Sequence, residues 1–334
     1  MRNRLSKKIL SVFLAAALLT ALLPNMAVPA FADTSGSWAD HTTAVTPDDD
    51  DVYTVTTAEE LAWVAAQANS SPSEFYGSTV ELGGDIDLSD HFWVPISNDG
   101  FPFQGDFDGN DHTISGLTID GSMQLAGLFG RMGSGTIQDV TLEDVSIDVT
   151  YNDQNGYVGG IAGFSGGLLK NCSVEGEVSL SSSNYYAYCG GLVGISAEGS
   201  IESCSVSGSV TAAMEKTDTH CGGLVGHIYN GSVSDCFSDA DVGESADSIG
   251  GLVGKLSGTP VTGCRATGAV SNGFSFLPPF TGGLIGYAIG GSGIFIEDCH
   301  ASGDVTQGTD GGVVGGFTGA CAGYTVSGCS ATGD

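Results

Sequence analysis

The 334-residue chain sets 39 acidic residues against nine Lys and Arg, a formal charge of −30. So acidic a chain repels nucleic acid and anionic polymers, which removes both from the candidate ligands. Charged residues are only 14% of the total and apolar ones 41%, a balance that excludes a disordered acidic tail.

The first 32 residues read as a secretory signal peptide. Arg2, Arg4, Lys7 and Lys8 form a basic start, Ile9 to Leu23 an apolar core, and Ala30-Phe31-Ala32 the small residues before a cut. The apolar core is short for a bilayer span, and no later stretch is long and apolar enough for one, so no membrane insertion is expected after cleavage. Cleavage leaves five cations against all 39 acids, a formal charge of −34. Residues 33–52 read as an acidic linker, with the run Asp48 to Asp51 taken as solvated chain.

Residues 53–120 read as an N-terminal cap and first strands. Thr57 and Glu60 have capping-box spacing ahead of Leu61, Val64, Ala65 and Ala68, which share one helical face. Such an amphipathic helix can cover the open end of a stack of strands. Short strands are expected at Thr79 to Leu82 and Ile86 to Leu88, and Asp108-Gly109-Asn110 has turn chemistry. Asp106, Asp108 and Asp111 beside His112 admit two readings, an acid-solvated turn or a weak calcium site.

From residue 121 to 334 one phrase returns. It is Gly159-Gly160-Ile161-Ala162-Gly163, then Gly190-Gly191-Leu192-Val193-Gly194, Gly222-Gly223-Leu224-Val225-Gly226, Gly250-Gly251-Leu252-Val253-Gly254, Gly282-Gly283-Leu284-Ile285-Gly286 and Gly311-Gly312-Val313-Val314-Gly315, with a worn copy from Ala126 to Gly130. Counted from the second glycine, the copies lie 33, 31, 32, 28, 32 and 29 residues apart. A period of this size marks a solenoid. The phrase lacks GxxxxGK[ST] and no helix is expected after it, so its glycines serve tight corners or close coil contacts and not a phosphate loop.

The order Thr57-Ala58-Glu59-Glu60-Leu61, Asp85-Ile86-Asp87-Leu88, Trp93-Val94-Pro95-Ile96, Phe107-Asp108-Gly109-Asn110 and repeated Gly-Gly-Leu-Val-Gly resembles secreted bacterial proteins with GLUG-motif repeats. It is also similar to the non-catalytic N-terminal parts of some bacterial immunoglobulin A peptidases. The resemblance implies an all-β fold on the cell surface: a right-handed parallel β-helix of about seven coils with an N-terminal capping helix. It implies a spacer or adhesive surface; the zinc-binding His-Glu-x-x-His of those peptidases has no counterpart in this chain, so their catalysis is not carried over.

Two columns of residues follow from the period. Cys172, Cys204, Cys236, Cys264, Cys299 and Cys329 share one, headed by Val140, each beginning an alternating strand such as Cys172-x-Val174-x-Gly176-x-Val178. Cys189 and Cys221 share another with Val158 and Ile249. Sites that accept Val, Ile or Cys are volume-filling, which favours stacked core thiols. A Cys189–Cys221 disulfide is the alternative; no CxxC pair or histidine cluster points to metal. Stacked about 4.8 Å apart, seven coils make a rod about 30 Å long. The last copy stops at Cys329-Ser330-Ala331-Thr332-Gly333-Asp334, in mid-strand by the preceding pattern, so downstream domains of a longer chain are expected.

The candidate ligand face lies beside the paired glycines. Tyr157, Tyr188, His220, Ser248 and Phe280 sit two residues before them, next to a column expected to face inward. Tyr185, Tyr186, Phe274 and Phe276 lie in the variable segments just upstream, where a solenoid concentrates its binding loops. These rings could stack on a glycan or meet a surface protein; equally, the loops could fold back and bury them. No catalytic residues, resident metal or cofactor are assigned. Among 39 acids no carboxylate pair stands out for glycoside chemistry, which leaves a carbohydrate-active β-helix enzyme, or the accessory region of a large surface peptidase, as the alternative to a non-enzymatic module.

Overall fold

The computed structural model describes residues 36–334 except 72, 98–100, 154, 184–185, 217, 274–277, 309–310 and 334. Short strands stack into three sheets of 15, 13 and seven strands, and the pairings are parallel. Each pairing joins residues about one repeat apart: Val174 to Val206, Cys189 to Cys221, Val193 to Val225. The chain is a β-solenoid of about seven turns, counted by the seven-stranded sheet, which takes one strand per coil.

The N-terminal end is closed as the capping residues direct. Among the described residues a single α-helix, Ala58–Ser70, buries Leu61, Val64, Ala65 and Ala68 in the core shared by the first strands. The Thr57 hydroxyl accepts from the Glu60 amide at 3.3 Å, while the Glu60 carboxylate accepts from the Thr56 amide at 2.7 Å, one residue before the expected partner. The segment read as a linker is tied to this end. Trp38 is buried, its indole nitrogen donates to the Leu88 carbonyl at 2.9 Å, and Val52–Val55 is already a strand paired to Thr79–Leu82. An acid-rich composition hid a single anchoring indole. Asp48 makes its own turn, accepting from the amides of Asp50 and Val52 at 2.9 and 3.0 Å.

The core is a shaft of stacked columns. Val140, Cys172, Cys204, Cys236, Cys264 and Cys299 are buried in one of them, with Cys329 partly buried at its end. All nine cysteines are thiols. The Cys172 amide approaches the Cys204 sulfur at 3.5 Å, and the Cys299 amide that of Cys329 at 3.4 Å. Contact with Cys236 and burial push the Cys264 thiol up to about 12, and neighbouring thiols with burial also raise Cys204, Cys236 and Cys299, so these four stay protonated.

The glycine phrase marks a pinch. A Cβ placed on Gly191 would lie 2.3 Å from the Val206 side chain and 2.4 Å from the Gly223 carbonyl. Two sheets converge there too closely for any side chain. The 13-stranded sheet, which supplies Val206, bends where Leu142 to Val145 slips register against the next coil and Gly176 and Gly208 take φ +148° and +106°.

Candidate functional site

The expected ligand face is present as a column but is not an open surface. Leu125, Tyr157, Tyr188, His220, Ser248, Phe280 and Val313 pair in register down the seven-stranded sheet. The rings of Tyr157, Tyr188 and His220 stack nearly parallel, with centroids 5.3 and 5.1 Å apart. Yet Tyr188 is 4% exposed and His220 2%. Their cover comes from the strand after the glycine turn. Its outward residues form a second column, Arg131, Phe164, Ile195, His227, Lys255 and Tyr287. The turn folds the two columns toward each other, so residues seven apart in sequence meet: His220 with His227 at 5.4 Å and Phe280 with Tyr287 at 4.8 Å. Outward pointing is thus not exposure at this corner. Tyr157 and Phe280 are half-buried, and Tyr186 is 48% exposed. Tyr185, Phe274 and Phe276 lie outside the described residues.

The middle of this corner holds a polar network that the sequence reading missed. Asp218 Oδ1 accepts from His220 Nε2 and from Lys255 Nζ, both at 2.9 Å. Those partners, His220 first, hold the Asp218 carboxyl far below the usual range. Burial drives the His220 imidazole down to about 4 against the pull of Asp218, and drives His227 down to about 3. Both rings are neutral at pH 7, so His220 carries its proton on Nε2, and its buried Nδ1 has no partner. Asp247 accepts from the Asp218 amide and is raised by burial. Burial also takes the Tyr188 phenol far above its ordinary range. The signal was available: reading each phrase at x and x+7 pairs Tyr157 with Phe164, His220 with His227 and Ser248 with Lys255.

The chemistry of this network is closed. His227 Nε2 lies 3.1 Å from Ser257 Oγ, as in a hydrolytic dyad. But the ring is too weakly basic to take the serine proton at neutral pH, and Asp218 orients the other histidine.

The acid turn is also spoken for. Asp106 Oδ1 accepts from the Thr136 amide at 2.7 Å. Asp108 accepts from the Asn110 amide at 2.8 Å and from Gln138 Nε2 at 2.7 Å. His112 Nδ1 lies 3.2 Å from Asp85. These carboxylates stitch one coil to the next. Among the described residues no group of three or more His, Cys, Asp or Glu is arranged to hold a metal ion, and no helix is long and apolar enough to cross a membrane.

With this geometry in view, the comparisons with known proteins agree on the repeat. The family model of the GLUG motif matches residues 154–179, 185–211 and 219–243, three consecutive copies of the strand, corner and glycine phrase. Halomucin of Haloquadratum walsbyi is 34% identical over 157 residues, 43% of this chain. That match spans about 2% of halomucin's own length. A crystal structure from Bacteroides ovatus, solved as a candidate immunoglobulin A1 protease, superposes with a TM-score of 0.61 over 90% of this chain and 91% of that one, at 17% identity. At that identity the likeness speaks for the fold. The chain carries GLUG-motif repeats, stacked as the coils of a parallel β-solenoid.

Proposed function

We propose that the protein is a non-catalytic, exported cell-surface module, adhesin-like or a spacer, that presents a binding face to a glycan or a surface protein. One observation carries this reading. Seven of the nine thiols are buried, and the partly exposed Asp218 is bonded to buried His220 and to Lys255, so these groups form closed columns and not an open reactive cleft. The signal-like N-terminus and the acidic composition support export and a soluble, self-repelling rod. The test incubates the chain beginning at Asp33 with plant, microbial and host glycans and measures the reducing ends released. The expected result is none above a heat-denatured control. Turnover that disappears on replacing a single Asp would establish an enzyme instead.

A further inference from the structure

The bend of the 13-stranded sheet opens a cleft of about 300 Å³ on the outer face of the rod, a volume within the range of small-molecule sites. Its wall is periodic. Thr141, Ser173, Ser205 and Phe237 occupy one column on four successive coils, and the Ser173 hydroxyl donates to Thr141 Oγ1 at 3.2 Å. Glu175 and Asp239 line the same cleft and are exposed. Phe237 breaks the row of hydroxyls with a ring 37% exposed.

We propose that this cleft binds a neutral saccharide chain lying along the rod axis. The proposal rests on the surface-module reading and gives it a ligand class and a site. Hydroxyls repeated once per coil match a polymer that repeats its own hydroxyls, and the carboxylates accept from sugar O–H groups. The Phe237 ring supplies the apolar surface on which a sugar ring stacks. The same carboxylates, on so acidic a chain, reject uronates and sialylated glycans. A peptide is disfavoured because the strands that floor the cleft are already hydrogen-bonded to the coils on either side, so no edge is free for strand addition.

The experiment titrates the chain from Asp33 to Asp334 by calorimetry with neutral gluco-, manno- and galacto-oligosaccharides, with an oligouronate and with polylysine. Binding of one neutral series and none of the uronate is expected. Phe237→Ala should weaken it at least tenfold, and Ser173→Gln, which crowds the cleft from another coil, should do the same. Both side chains lie at the surface, so the thermal midpoint should stay within a few degrees of the parent. Affinity unchanged in both variants, binding of polylysine alone, or no binding at all overturns the cleft. Failure of this kind leaves the non-catalytic reading standing, since that reading falls only to turnover.

Discussion

At Gly160, Gly191, Gly223, Gly251 and Gly283 a single hydrogen is all the space allows. A Cβ on Gly223 would sit 2.2 Å from the Gly251 carbonyl of the next coil, backbone that cannot swing away. Gly223→Ala should therefore destabilise the protein by about 2–3 kcal/mol, as overpacked core sites do. Gly84→Ala, with nothing within 4 Å of the new methyl, should stay within about 0.5 kcal/mol. Urea midpoints of the two variants check the contrast; equal losses would mean that the pinch is soft. A second residue-scale constraint sits one place before the thiol column. Asp139, Asn171, Ser203, Asp235, Gly263, Asp298 and Gly328 all take positive φ between 51° and 64°, the left-handed region where Asp, Asn and Gly are least strained. That column was readable in the sequence as Asn, Ser, Asp or Gly before each Cys of the six-membered shaft, because a stacked turn repeats its backbone as well as its side chains.

The corner between the seven-stranded sheet and the strand after it is where acid acts on the fold. In the unfolded chain both histidines take a proton near their ordinary value of 6.5; folded, His220 holds off to about 4 and His227 to about 3. Across that interval the unfolded state binds more protons, so this part of the stability is full above about pH 6.5 and declines as pH falls. The limiting slope is about 1.4 kcal/mol per pH unit for each ring. Asp218, lowered by His220 and Lys255, adds a loss in the same direction below the ordinary carboxylate value, whereas Asp247, raised by burial, opposes the histidines just above that value. The urea midpoint should fall from pH 7 to pH 4.5, and His227→Phe should flatten that fall by about one proton's slope. Parallel profiles would show that His227 titrates normally. The corner was only half legible in advance. Tyr157, Tyr188, His220 and Phe280 were found as a column from the period, but their cover depends on how sharply the glycine turn folds. Strand alternation alone gives the side a residue points to, not what stands opposite.

At the scale of the whole rod, the period predicted the fold because a solenoid turns sequence distance into vertical distance: residues about thirty apart became neighbours. The bend in the 13-stranded sheet, and hence the cleft, was harder to read, since it arises from a register slip together with the positive-φ glycines Gly176 and Gly208. Each coil leans only on the coils beside it, so stability should be graded along the axis. Hydrogen exchange should be slowest in the strands around Cys189 and Cys221 and fastest in the final coil, where Val313, Val314 and Val326 are exposed. Uniform protection from end to end would mark one cooperative unit. The sulfur shaft adds a consequence in time. Six thiols already stacked a coil apart are shielded while the rod is shut, but any coil that springs open in an oxidising medium exposes adjacent sulfurs to the oxidant. The first crosslink would lock that opening, so for this molecule a brief lapse in closure becomes permanent damage and lifetime depends on how rarely the shaft is breached.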